Sequence, residues 1–440
     1  MPVTSVEELM KRQAEKTKQL LDRDHFIPVR ESELVASLSR ETEDAEAFRR
    51  LSRLIGTILH LRYFDQRLRL RDDYHYFNPD VPHHDAVDPA VLEEAHDDLV
   101  STLSGLFHDA DFIEVSLGDV YDAHHKHHFL RVAIDIPMDC FREVKIFRRG
   151  HHLAKVSHRD WFSLRHREAE VEVYDHIALL VMIKPLAELN AHQRSRLKHM
   201  RLRPGTILIK YFRDIARADM AKLFPGVRVV MSLFDKLVLG LPAIAGGIPL
   251  LLNLLPTISV LFLVIGFYLG FSKDIGTDHL KQAMAGLSAL VALGGFTMQQ
   301  WVKYQRRALK YQKDISDNVY FRNINNNAGL FDAIIGAAES EEWKKSVLAY
   351  VFLLKQPGTQ EDLDSRIETW LRERYKADIE FDVADALERM VELDLLERNG
   401  DVLSVPKLSE SLARLDTVWK RVFQSHVAQE GLGSAAATRV

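Results

Sequence analysis

The stretch LVLGLPAIAGGIPLLLNLLPTISVLFLVIGFYLGFS, from Leu237 to Ser272, carries no Asp, Glu, Lys, Arg or His. In a chain with 28% charged residues such a run dominates the reading, because sequence this apolar has to be buried in a core or in a bilayer. As one helix it would reach roughly 54 Å, against about 30 Å for a bilayer core. Pro242, Pro249 and Pro256, with Gly240, Gly246 and Gly247, punctuate it. A short polar loop, KDIGTDHLK, follows, and then a second charge-free stretch over Gln282–Val302.

The distribution of basic residues sets the expected number of crossings. Arg228 and Lys236 precede the first run, and Lys303, Arg306, Arg307, Lys310 and Lys313 follow the second, whereas the loop between offers only Lys273 and Lys281. The expectation is a transmembrane hairpin, with both flanking domains on the basic, cytoplasmic-type side. Residues 250–271 form the first span, 272–281 the loop and 282–302 the second span. Residues 237–249 are left as an interfacial or re-entrant lead-in. Within the spans Gly266 and Gly270 read as GxxxG, and Ala285, Ala289 and Ala292 line one helix face, which suits close helix packing or simply an apolar span rich in small residues.

The remainder is ordinary in composition. A net charge of −5 argues against a strongly basic nucleic-acid binder. Cys140 is the only cysteine, so no intrachain disulfide is possible. The N-terminus has no apolar h-region, and Ser5 with Glu8 starts an amphipathic helix there.

Residues 1–235 read as an α+β domain. Phe48, Leu51, Ile55, Ile58, Leu59 and Arg62 recur at helical spacing, and a second helix follows Pro89. Then come short segments rich in β-branched and aromatic residues: DFIEVS, HHFLRVAIDI, FREVKIFRR, AEVEVYDHIALLVMI and GTILIKYF. Lying close together, they predict a largely antiparallel sheet. Residues 303–327 read as a helical stalk ending in an Asn-rich junction. Residues 328–425 read as a winged-helix-like domain: Trp343–Lys355, a helix from Thr359 to Tyr375, a third over Phe381–Leu395, a hairpin around Asn399-Gly400, and a closing helix. Residues 426–440 read as a disordered tail.

No catalytic constellation emerges. The 20 histidines include HHKHH at His124–His128, His83–His84 and His151–His152, but neither HExxH nor paired CxxC is present, and a solvated turn explains the first cluster. His108-Asp109 resembles the HD pair of metal phosphohydrolases, without placeable companion ligands. GxGxxG, Walker A and GxSxG motifs do not occur, and no cofactor is expected. Basic stretches around Arg148, Arg149, Lys155, Arg159 and Trp161, and at Arg194–Arg203, suit solvated faces or a surface held against anionic lipid. The third helix of the winged-helix-like unit, where a recognition helix would lie, carries Asp382, Asp385, Glu388, Glu392 and Asp394 against Arg389 alone. Such a surface is unsuited to DNA and points to a protein partner or intramolecular packing.

DHFIPVRESELVASL, FNPD, VYDHIALLVMIKP, LIKYFRDIARADMAKLFPGVRVVMSLFDKLVLGLP and NVYFRNINNNAGLFDAIIGAAESEEWKKSVLAYVFLL resemble the transmembrane protein 143-like family, defined by a domain of unknown function. The resemblance runs from about Asp24 to Leu396. It implies a two-span membrane protein and supplies no activity. Tyr320, Arg322, Asn323, Asn326 and Asn327 match its most specific block. They suit helix capping and backbone bonding at a junction, or a polar hinge or binding surface.

The sequence thus leads to an α+β membrane protein with an N-terminal helical and antiparallel-sheet domain, a two-helix transmembrane hairpin with a helical stalk, and a winged-helix-like domain. The expected role is a membrane-anchored, non-enzymatic scaffold or regulatory protein with a protein partner or a second copy of itself, and no nucleic acid. A homo-oligomeric channel and a membrane-bound metal-dependent hydrolase are the rivals. The expected location is a bacterial inner membrane, or the mitochondrial inner membrane in a eukaryote.

Overall fold

The computed structural model describes residues 23–82, 87–120, 132–159, 166–231 and 277–437, together with Phe262, Ile265, Gly266, Leu269 and Gly270. The chain divides into two compact units. The larger takes the described parts of Met1–Val120, Met138–Arg217 and Arg322–Val440, the smaller those of Tyr121–Pro137 and Ala218–Phe321.

In chain order the larger unit begins with α1 (Glu31–Ser39), α2 (Ala45–His75) and α3 (Pro89–Asp109). Asp44 caps α2 by accepting the Glu46 and Ala47 N–H groups, and Asp88 caps α3 ahead of Pro89. After β1 (Ile113–Glu114), β2 (Val132–Asp135) belongs to the smaller unit. The larger unit resumes with β3 (Phe141–Arg159), β4 (His166–Ile183), α4 (Ala191–Met200) and β5 (Ile207–Ala216). The smaller unit then supplies β6 (Arg228–Met231) and α5 (Thr277–Arg322). The chain returns as β7 (Asn323–Asn326), α6 (Gly329–Lys355), α7 (Gln360–Tyr375), α8 (Val383–Glu392), β8 (Glu397–Asn399), β9 (Val402–Ser404) and α9 (Leu408–Ala437). Helix α9 continues past Phe423 into the segment read as a tail.

The sheet is five-stranded and antiparallel, in the order β1-β3-β4-β5-β7. Its longest pairing runs from Phe141↔Ile183 to Arg159↔His166. Gly150 faces Asp175 across that pairing with φ +71°, and a Cβ there would meet Asp175 Oδ2 at 2.4 Å. Ile177–Ile183 is buried without a break, which explains why this segment reads as a continuous apolar run.

Two apolar cores form in this unit, and α2 and α6 run through both. In the first, Ala178, Leu180 and Met182 of β4 and Ile207 and Ile209 of β5 meet Leu99, Leu103 and Phe107 of α3 and Leu330, Phe331 and Ile334 of α6. In the second, Ile27, Leu34 and Leu38 join Phe48, Leu51 and Ile55 of α2, Val347–Leu353 of α6, and residues of α7, α8, β9 and α9. Close approach of α2 to α6 depends on Gly56, where an added Cβ would lie 3.3 Å from Trp343 Cδ1. Trp343 Nε1–H donates to the Ser52 carbonyl at 2.8 Å. Helices α6, α7 and α8 and the β8–β9 hairpin follow one another in winged-helix order, with Gly358 bridging to Leu403.

The smaller unit contains an antiparallel ribbon, β2 with β6, from Val132↔Met231 to Asp135↔Arg228. Val132–Asp135 of HHFLRVAIDI therefore forms a separate ribbon and does not pair with the main sheet. Helix α5 is 46 residues long and runs unbroken through Gln282–Val302 and the segment read as a stalk. Among the described residues no helix is long and apolar enough to cross a membrane. The expected transmembrane hairpin, and with it the fold class of a membrane protein, is corrected on this point; an α+β fold with a five-stranded antiparallel sheet stands. The physical reason lies in composition. Gln282, Gly286, Ser288, Gly294, Gly295, Thr297, Gln299 and Gln300 dilute the Leu and Val residues, so α5 is free of charge there without being strongly apolar. Most of the first expected span, residues 250–271, and all of the lead-in, residues 237–249, lie outside the described residues.

Candidate functional site

Between the two cores of the larger unit α6 carries AESEEWKKS, Ala338–Ser346, and here the packing turns from apolar to ionic. Because α6 is enclosed on all sides over Glu341–Leu353, its four charges there cannot all reach solvent. Glu341, Glu342 and Lys345 are 0%, 1% and 1% exposed, and Lys344 is buried as well.

Lys345 is the centre of one half of this layer. Its Nζ lies 2.6 Å from Asp111 Oδ1, 3.3 Å from Asp385 Oδ2 and 3.9 Å from Glu342 Oε1. Asp111 reaches it from just beyond α3, in a left-handed conformation at φ +58°. Arg389 of α8 donates through Nε to Glu342 and through a terminal nitrogen to Glu392, which Arg62 of α2 also contacts. Tyr63 donates its hydroxyl to Asp109 at 3.0 Å. His108 stands at the rim, its Nε2 3.5 Å from Asp385 Oδ2.

The other half is richer in cations. Glu341 Oε1 receives Arg149 at 2.7 Å and Lys344 at 3.0 Å, and its Oε2 accepts the Ile27 N–H at 2.9 Å. Lys344 also donates to the Ile27 carbonyl, and the Arg149 guanidinium lies 4.8 Å from the Phe26 ring centroid. An open cleft of about 560 Å³ borders this half, lined by Phe26–Ser32, Arg149, Ser340 and Lys344.

The groups around Lys345 shift one another's hold on protons. Burial alone would depress the Lys345 ammonium, but Asp111, Glu342 and Asp385 outweigh it and hold the group charged. Burial pushes Asp111 up to about 6 against the pull of Lys345, and Glu342 is also driven up by burial, with Asp109 and Asp385 adding to it. Asp385 feels the same burial, yet the hydrogen bond from His108 and the charge of Lys345 bring it down to about 2. His108, bonded to Asp385, is raised to about 9 against burial.

The residues singled out in the sequence scatter. Arg148 and Arg149 turn inward: Arg148 is 6% exposed and pairs with Asp24 at 3.6 Å, and Arg149 is held by Glu341. Lys155 is exposed, Arg159 ends β3, and Trp161 lies outside the described residues. The histidines of HHKHH and His83–His84 also lie outside them. His151 and His152 take separate carboxylates, Asp24 at 3.2 Å and Asp175 at 2.6 Å. Cys140 is a free, buried thiol, pushed up by burial.

At the junction the asparagines form a sheet edge. Asn323 and Asn326 lie in β7, opposite Phe212 and Lys210, and Asn323 Nδ2 donates to Asn326 Oδ1 at 2.8 Å. Arg322 donates to the Asp214 carbonyl. Asn327, at φ +51°, exchanges bonds with Ile209 in both directions and donates through Nδ2 to Asp80 Oδ2 at 2.8 Å. Tyr320 belongs to α5 in the smaller unit. Gly266 has helical backbone, whereas Gly270 sits in a turn at φ +86°, so the two do not continue one helix face. Ala285 and Ala292 are exposed on α5, and Ala289 shares that helix.

Residues 174–329 match the protein family described as a protein of unknown function (DUF3754). The match shows no membership of the transmembrane protein 143-like family. No solved structure matches the chain. The matched segment holds β4, β5 and β7, while the charge layer on α3, α6 and α8 lies outside it.

Proposed function

We propose that this chain is a non-enzymatic scaffold or regulatory protein that engages another protein through the outer face of α8 and the adjoining hairpin, and does not bind nucleic acid. The observation that carries this reading is the placement of Arg389. It is the single base on α8 and is 6% exposed, turned inward onto Glu342. The outer face is left with Glu388, Val391 and Asp394, and Val391 is 55% exposed; in the hairpin that follows, Val402 is 45% exposed. Acids on either side of an exposed valine repel phosphate and suit a basic protein surface with an apolar centre.

The test uses the full chain, captured under native conditions with quantitative mass spectrometry. A Val391→Asp, Glu388→Lys variant is run beside it, both substitutions being on solvent. One or more protein partners retained by the unaltered chain and lost by the variant, at equal melting temperature, is the expected result. Identical partner profiles would overturn the reading, as would salt-sensitive retention of duplex DNA by the unaltered chain.

A further inference from the structure

The last turn of α3 and the first turn of α8 bring three donor groups to one point. His108 closes α3, Asp382 caps α8, and Asp385 follows one turn later. One donor atom from each lies within 4.8 Å of the other two. His108 is exposed and the aspartates are half-buried, so the cluster opens to solvent and has the buried charge layer as its floor.

We propose that His108, Asp382 and Asp385 form a binding site for a divalent transition-metal ion, taken through His108 Nε2 and one oxygen of each carboxylate. One imidazole with two carboxylates is a donor set suited to Zn²⁺ or Mn²⁺, and three protein ligands leave positions for water. Bonds of about 2.0–2.2 Å place donors roughly 3–3.5 Å apart. His108 Nε2 and Asp385 Oδ2 stand 3.5 Å apart, at the upper end of that range.

Two further observations support an ion at this position. The floor is rich in acids: Asp109, Asp111 and Glu342 lie behind the two aspartates, with Lys345 and Arg389 as the buried cations among them. Asp111 Oδ2 and Glu342 Oε1 are buried without a hydrogen-bond partner. A divalent charge at the mouth compensates this excess. The ligands are also oriented from behind: Asp382 Oδ1 accepts the Asp385 N–H at 3.1 Å, which leaves Asp382 Oδ2 for the ion, and Lys345 holds Asp385 through Oδ2, the oxygen that also faces His108. Lys345 opposes the ion, and Asp111 and Glu342 offset that repulsion. An ion here ties the end of α3 to the start of α8, and the inference stands apart from the protein-partner reading.

The full chain, stripped with chelator, is titrated with Zn²⁺ by calorimetry, with Mn²⁺ and Mg²⁺ in parallel. The expected result is one Zn²⁺ site that weakens at least about tenfold in both His108→Ala and Asp382→Asn, with the metal-free melting temperature kept. A companion variant with His124, His125, His127 and His128 all changed to Ala retains the site. Absence of Zn²⁺ uptake, uptake unchanged by His108→Ala, or uptake lost with the His124–His128 cluster would each overturn the proposal.

Discussion

Lys345 is the shared counter-ion of three carboxylates, and its removal strands them in a low-dielectric layer. Lys345→Met is expected to destabilise the protein by about 3–5 kcal/mol in chemical denaturation, because an unpaired buried charge costs more than a pair contributes. Adding Asp111→Asn recovers part of that loss; no recovery would mean that the two groups are not coupled. Asn327 is both a bonding group and a left-handed backbone position. Asn327→Ala is expected to cost about 1–3 kcal/mol, and Asn327→Gly less, since glycine keeps the conformation and loses only the side-chain bonds. His176 is partly buried and stacked on Tyr211 with centroids 5.4 Å apart; burial, then Arg149, holds it below the ordinary value of 6.5. The unfolded chain takes up that proton at a higher pH than the folded chain. Stability from this group is therefore complete above 6.5 and declines as pH falls below it. Melting curves between pH 7.5 and 5.5 should show a smaller drop in His176→Gln than in the unaltered chain. Little of this was legible at the residue scale. His108 was noticed for its neighbour Asp109, yet Asp109 turns to Tyr63, and the companions of His108 come from α8, far along the chain.

Elements were read more successfully where one face is apolar and the other wet. Helix α2 follows its periodicity from the Asp44 cap, and β4 shows its burial as an apolar run. Helix α6 defeated that method because apolar residues surround it, so periodicity says nothing about where its charges point. A usable signal is nonetheless present: AESEEWKKS places five charges within one stretch of a helix whose flanks are apolar apart from Asp332 and Lys355. Helix α5 shows the opposite case: absence of charge over Gln282–Val302 does not make the helix apolar enough to cross a membrane. Contact between α2 and α6 provides the test at this scale. Gly56→Leu drives a branched side chain against Trp343 and is expected to destabilise by about 1–3 kcal/mol. Thermal denaturation within error of the unaltered chain would show that the helices are less closely packed than the 3.3 Å approach implies.

For the larger unit as a whole, the C-terminal helices and the N-terminal segment share one core. Ile27, Leu34, Leu38, Phe48, Leu51 and Ile55 pack with residues of α6, α7, α8 and α9, so residues 322–440 in isolation would expose much of that core. Such a fragment is expected to unfold without a cooperative transition; a sharp melt and dispersed amide spectrum would refute this. The class of local structure is legible in the sequence: the α2 and α3 helices, the sheet segments, the helix–helix–helix–hairpin order, and the acidity of α8. Those features depend on propensity, capping and short-range patterning, which act over a few residues. Tertiary structure alone decided that α6 spans two cores, that β7 extends the sheet through an asparagine run, and that distant ionisable groups meet in one buried layer. Burial of a charge depends on what packs around it, and that is set by chain segments hundreds of residues apart.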